Sequence, residues 1–134
     1  KFYNIKFYES VGDNDTRKKI IPTIINNYKK NVVTKVLSKE LLLNIIHTDD
    51  IINSIMILLN NNIESGSYCI KNTHNIKISD LINTLNKGLN KKIKVKYGNK
   101  LTISSNNNLK ILPKWKPIKN LENRIIKIFK NEIN

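Results

Sequence analysis

A histidine, a threonine and two aspartates stand side by side in Ile45-Ile46-His47-Thr48-Asp49-Asp50-Ile51, where an apolar run gives way to an amphipathic one. An imidazole titrates near neutral pH, so His47 beside two carboxylates could take a proton in chemistry or contact a ligand. The competing role is structural, with the ring bonded to a backbone carbonyl or a nearby Asp, and it is the preferred one here. A second concentration begins at Glu9-Ser10-Val11-Gly12-Asp13-Asn14-Asp15, whose glycine and Asp/Asn cluster are turn chemistry. It is followed by Arg17-Lys18-Lys19-Ile20-Ile21-Pro22. If a helix starts there, Lys18, Lys19 and the free N–H groups of its first turn suit an anion such as a phosphate. Solvated lysines on an amphipathic helix account for the same residues equally well.

The elements that must position these groups are legible in the apolar spacing. Residues 41–46 are Leu- and Ile-rich and short, which predicts a buried strand. Thr48 or Asp49 then supplies an N-cap oxygen and Asp50 a negative charge in the first turn of a helix. In that helix Ile51, Ile52, Ile55, Met56, Leu58 and Leu59 form the expected buried face, with Asn53 and Ser54 on the wet side. Residues 2–8 predict a strand, and 17–30 a helix burying Ile20, Ile21, Ile24, Ile25 and Tyr28. Pro22 is harmless if that helix starts near Ile21. Strands are expected over 32–37, over Ser67-Tyr68-Cys69-Ile70-Lys71, and over 92–97, where lysine alternates with apolar residues. Ser79 is a good N-cap for a helix burying Leu81, Ile82, Leu85 and Leu89, and residues 124–133 close the chain as an amphipathic helix. The fold class is α/β, one unit over 1–134.

The formal charge is +14, from 24 Lys+Arg against 10 Asp+Glu. That balance favours polyanionic partners. Only Arg17 and Arg124 are arginines, however, and the lysines are scattered among Asn and Ile, so a generic solvated surface is preferred to a dedicated nucleic-acid face. Cys69 is alone, which excludes an intrachain disulfide and suits a reducing, cytoplasmic setting. No apolar run approaches the roughly 18 residues of a membrane span. The start, Lys-Phe-Tyr-Asn-Ile-Lys, lacks a methionine and a signal-peptide core and opens as if in mid-strand, so a piece of something longer is expected.

The central heptapeptide resembles the "F-I-H-V-D-D-V" signature in the C-terminal half of the NAD-dependent epimerase/dehydratase family, the extended short-chain dehydrogenases that act on nucleotide sugars. Other landmarks flank it in order. The segment from Lys6 to Asp13 is similar to "R-x-x-N-V-Y-G-P-G-D", with Lys6 at the Arg, Glu9 at the Asn, Val11 at the Tyr and Gly12 at the Gly. Lys19-Ile20-Ile21-Pro22 resembles "K-x-I-P-x-x-I", Gly66 to Ile70 resembles "G-x-Y-N-I-G", and Ile78-Ser79-Asp80-Leu81-Ile82 resembles "I-S-I-x-E-L-I". Lys110 to Glu122 is similar to the "K-x-L-G-W-x-P-x-x-x-L-E-x-G-I" tail, in which a short helix and a Trp-Pro anchor precede a closing helix. Trp115 is therefore expected to be a packed anchor.

The resemblance covers essentially the whole chain, yet only the C-terminal half of the family pattern. It implies the C-terminal part of a Rossmann-like extended short-chain dehydrogenase with its small mixed α/β substrate domain. It also implies a nucleotide-sugar substrate, NAD or NADP bound mainly by an absent N-terminal half, and a possible homodimer. Substrate-binding residues carried over are Glu9, Gly12, Lys18, Lys19, Ile21, Pro22, His47 and Lys100. No catalytic residue or metal ligand is assigned. The glycine-rich G-x-G-x-x-G loop is missing, and no tyrosine has a lysine four residues on, so the family's hydride chemistry is beyond these residues. Leu43 stands where many members carry a phosphate-clamping Arg, and Glu9 replaces an Asn. Two other readings stay open: a basic, non-catalytic module for nucleic acid or other polyanions, and a decayed, inactive fragment.

Overall fold

The computed structural model describes residues 1–100 and 108–133. Strand β1 (Tyr3–Phe7) is followed at once by β2 (Glu9–Val11), and the two join different ladders. Helix α1 (Ile20–Lys29) and β3 (Thr34–Val36) come next. The apolar run 41–46, expected as one strand, is two: β4 (Leu42–Leu43) and β5 (Ile45–His47). Asn44 separates them because its side chain is engaged elsewhere, with Oδ1 accepting the Asn72 N–H at 2.7 Å and Nδ2 donating to the Asn72 carbonyl at 3.0 Å. Helix α2 (Thr48–Asn60), β6 (Gly66–Ile70), β7 (Ile76–Lys77), α3 (Ile78–Gly88), β8 (Val95–Tyr97), β9 (Lys110–Ile111) and α4 (Leu121–Ile133) complete the order.

The sheets are mostly parallel. A three-stranded parallel sheet runs β1-β6-β9, β2 pairs parallel with β5, β3 pairs parallel with β8, and β4 pairs antiparallel with β7. Parallel neighbours need crossover connections, and the helices supply them. The larger core lies between α1, α3 and α4, where Ile21, Ile24, Ile25, Leu81, Leu85, Ile125 and Phe129 pack together. There the rings of Tyr28 and Phe129 meet edge to face at 5.8 Å. Leu43 is buried in this same core. A second cluster, Ile46, Ile63, Tyr68, Ile70, Leu112 and Trp115, fills the space between α2 and the three-stranded sheet.

Three further expectations are corrected. Helix α3 starts one residue before Ser79, with Lys77 at its N-cap and no capping side chain. The segment before Trp115 is the strand β9 and a turn rather than a short helix, with Lys114 at φ 67° closing the turn. Helix α2 is rotated against the expected orientation. Its buried residues are Asp50 and Ser54, while Ile52, Ile55, Met56 and Leu59 are 59, 48, 48 and 73% exposed. Ser54 is accommodated inside because its hydroxyl donates to the Ile51 carbonyl at 2.6 Å, and Asp50 because its carboxylate is fully engaged.

Candidate functional site

The register Glu9↔Ile45, Ser10↔Ile46, Val11↔His47 brings the two chemistry-bearing stretches side by side. Because β2 and β5 run parallel, Gly12 and Thr48 emerge together at their carboxyl ends, the edge where open α/β sheets characteristically hold ligands. The approach there is close. A Cβ placed on Gly12 would lie 2.5 Å from Thr48 Cγ2 and 2.7 Å from its Oγ1, so only glycine fits against the start of α2.

Past Gly12 the chain folds back on β2. Arg17 grips Asp15 through Nη2–Oδ2 at 2.6 Å and Nε–Oδ1 at 2.8 Å, and its Nη2 also donates to the carbonyl and hydroxyl oxygens of Ser10 at 3.0 Å each. The hydrogen bond from Arg17 holds the Asp15 carboxyl below its usual range. The same bond to Asp15, with a smaller attraction from Glu9, raises the guanidinium. The pair fixes the loop so that α1 begins at its far end. No side chain caps α1 at Lys19, and Pro22 in its first turn has no N–H to leave unpaired. A cavity of about 360 Å³ opens beside this helix start, with Asp15, Arg17, Lys18, Pro22 and Asn26 among its lining. Lys18 and Lys19 are exposed.

The other residues expected at the site are placed as follows. Ile21 is fully buried and packs in the larger core, whereas Pro22 is buried and lines the cavity. Glu9 leaves one carboxylate oxygen buried without a hydrogen-bond partner among the described residues. Lys100 is exposed, and its backbone N–H donates to the Leu37 carbonyl at 3.1 Å, which attaches it to the β3–β8 ladder rather than to β2 and β5.

His47 takes the structural role. It is the N-cap of α2, where neither Thr48 nor Asp49 stands. Its Nδ1 accepts the Asp49 N–H at 3.1 Å, while Asp50 Oδ2 accepts the His47 N–H at 2.9 Å, closing a reciprocal capping box. With Nδ1 accepting, the neutral ring carries its hydrogen on Nε2. Asp50 stands in the first turn of α2 as expected; what sequence reasoning missed is its tie to the Trp115 segment and the clamp of Asp15 by Arg17. Asp50 also accepts the Ile118 N–H at 2.7 Å through Oδ1 and the Trp115 Nε1–H at 3.0 Å through its carbonyl. Trp115 is accordingly a buried anchor, 5% exposed. The Asp-x-Arg spacing at 15–17 was the one local signal for the clamp.

These residues do not form a dinucleotide cradle. The four glycines, at 12, 66, 88 and 98, are too widely spaced for a glycine-rich loop, and none has a positive φ. Among the described residues no group of three or more His, Cys, Asp or Glu could hold a metal ion, and no helix is long and apolar enough to cross a membrane.

No family model matches the chain. It is 36% identical over 67 residues to CDP-abequose synthase of Yersinia pseudotuberculosis, a stretch covering 50% of this chain and 23% of that protein. Among solved structures, UDP-N-acetylglucosamine 4-epimerase from Methanobrevibacter ruminantium superposes with a TM-score of 0.76 at 15% identity, over 96% of this chain and 44% of that one. UDP-glucuronic acid 4-epimerase from Bacillus cereus, in complex with a UDP-sugar and NAD, gives 0.79 at 13% identity, over 97% and 44%. dTDP-glucose 4,6-dehydratase from Bacillus anthracis, in complex with NAD, gives 0.71 at 13% identity, over 96% and 43%. The chain thus spans less than half the length of these relatives. Its mixed α/β architecture with parallel ladders is the fold of the matching part of these nucleotide-sugar epimerases and this dehydratase.

Proposed function

We propose that this chain is the substrate-binding part of an NAD(P)-dependent nucleotide-sugar epimerase, dehydratase or 4-ketoreductase, and that it orients a nucleotide-diphosphate sugar for hydride transfer. The observation that carries the reading is the in-register pairing of β2 with β5, which sets Gly12 against Thr48 at the carboxyl ends of two parallel strands. Directly after it comes an uncapped helix start preceded by Lys18 and Lys19, whose backbone N–H groups and positive charges suit an anion. The sugar-nucleotide names of the relatives support the substrate class, and the NAD in two of the solved complexes supports the cofactor.

In this reading Glu9, Gly12, Lys18, Lys19, Pro22 and His47 lie at or behind the sugar-nucleotide cleft, Ile21 supports it from the core, and Lys100 contributes a cation from the β3–β8 side. Lys18 and Lys19 screen the diphosphate. The cofactor is held mainly by a dinucleotide-binding part outside this chain, in keeping with the more than half of each solved relative that lies beyond the match, and no chemical step is assigned to these residues. In this reading the enzyme is cytoplasmic, and the buried free thiol of Cys69 accords with a reducing setting. The test is to incubate the natural gene product with NAD or NADP and UDP-, dTDP- and CDP-hexoses, following each sugar by NMR. Conversion of any one supports the reading, and no turnover of the whole panel refutes the enzyme.

A further inference from the structure

The two-stranded parallel ladder β3–β8 has one face inside the protein and one in water. Thr34, Val36 and Ile93 turn inward and are buried, while Val33, Lys35 and Leu37 on one strand and Lys92, Lys94 and Lys96 on the other alternate with them and are exposed. The register sets Lys35 directly beside Lys96. Two ammonium groups opposed across neighbouring strands repel, and sheets favour an opposite charge at such a place. Here the four lysines form no ion pair among the described residues, and Lys94 reaches a backbone carbonyl instead, that of Asn31 at 3.5 Å. The carboxylate nearest to Lys35 in sequence, Glu40, is taken by Lys77 at 2.6 Å.

The charge is one-sided well beyond the ladder. From Leu81 to Leu121 the chain holds ten lysines and no Asp or Glu. Lysine on an exposed edge strand keeps other strands away, but four of them turned to one side and left without a carboxylate exceed that need. They are also interleaved with aliphatic groups, since Val33 and Leu37 are 47 and 53% exposed on the same face. Cations set around bare aliphatic side chains fit a partner that is anionic outside and hydrocarbon beneath, which describes a phospholipid headgroup layer. Nucleic acid fits less well. Its single strands stack on aromatic rings, and the outward positions of this ladder carry none, because Tyr97 lies in register with Val36 on the other face.

We propose that the outer face of the β3–β8 ladder is a docking surface for an anionic lipid bilayer. Lys35, Lys92, Lys94 and Lys96 meet the headgroups, and Val33 and Leu37 enter the boundary between headgroups and acyl chains. The contact lies on the bilayer and does not cross it, so it is reversible and weakened by salt. It is independent of the nucleotide-sugar reading, which uses other residues.

The experiment is flotation of the natural gene product containing this chain with vesicles of two parts phosphatidylcholine to one part phosphatidylglycerol, beside vesicles of phosphatidylcholine alone. The protein floats with the anionic vesicles at low salt, stays behind with the neutral ones, and is released as salt rises. Lys35→Glu/Lys96→Glu weakens partitioning about tenfold or more. Val33→Ser/Leu37→Ser weakens it about threefold or more, through the lost apolar contact. All four side chains are exposed, and the melting midpoint checks that each variant folds. Lys35→Gln/Lys96→Gln carries the same test if the charge reversal does not fold. Absence of flotation with anionic vesicles at low salt overturns the surface, and so does equal flotation of the wild type and the lysine variants. Binding to oligo-dT that needs Lys35 and Lys96 but not Val33 and Leu37, with no flotation, overturns it in favour of nucleic acid.

Discussion

The carboxylate of Asp50 accepts the backbone N–H of Ile118 at 2.7 Å, joining the first turn of α2 to a segment 68 residues further along the chain. Its other oxygen accepts the His47 N–H at 2.9 Å, so one buried side chain, 2% exposed, both caps a helix and fastens the Trp115 segment over it. The β5–α2 junction at the candidate site is held in place by this tie.

Asp50→Ala removes both acceptors and strands two N–H donors, which costs about 3 kcal/mol of unfolding free energy in urea denaturation. Asp50→Asn stays within about 1 kcal/mol of the Ala variant, because a side-chain amide must turn its NH₂ toward one of the two donors. A loss below about 0.5 kcal/mol for Asp50→Ala contradicts the tie.

Gly12→Ala drives a methyl group into the Thr48 side chain, where a Cβ would lie 2.5 Å from Cγ2. The expected loss is about 1–2 kcal/mol, the usual size of an overpacking penalty. Thr48→Ala removes the obstructing atoms, so the double variant recovers most of that loss. Additive losses in the double-mutant cycle contradict the contact.

Asp15 titrates below its ordinary 3.8 in the folded chain, chiefly through its hydrogen bond from Arg17. A depressed carboxylate stabilises the fold fully above its unfolded pKa and loses that contribution as pH falls through the folded value. Arg17 is half-exposed, so the pair is worth on the order of 0.5 kcal/mol. The stability difference between the wild type and Asp15→Asn is therefore flat from about pH 7 to 5 and shrinks toward zero below about pH 3.8. A difference that grows on acidification contradicts the sign.

Much of the fold was legible because helical period survives in the sequence. Ile21, Ile24, Ile25 and Tyr28 of α1, Leu81, Ile82 and Leu85 of α3, and Ile125, Ile128 and Phe129 of α4 all bury the face their spacing indicates. The strand at 66–70 was legible too, while its parallel pairing with β1 was not. What the sequence concealed depends on residues far away in the chain. The break at Asn44 is set by Asn72, and the roles of His47 and Asp50 by a capping box and by the Trp115 segment. The orientation of α2 was misread for a further reason. Apolar residues run round most of the helix, with Ile51, Ile57 and Leu58 packed on the second cluster and Ile52, Ile55, Met56 and Leu59 exposed, so spacing alone did not single out the buried side. Glu9, Gly12, Lys18 and His47 were grouped as a candidate set only by the resemblance, since local chemistry alone allowed solvated lysines and a structural histidine.

The most direct test of the central claim is calorimetric titration of the natural gene product containing this chain with UDP-, dTDP- and CDP-hexoses, beside its Lys18→Ala/Lys19→Ala variant. Both lysines are exposed, so the variant folds normally. Saturable binding of at least one sugar nucleotide, weakened about tenfold or more in the variant, is the predicted result. No binding across the panel, or equal affinity in the two proteins, contradicts a sugar-nucleotide site at the start of α1.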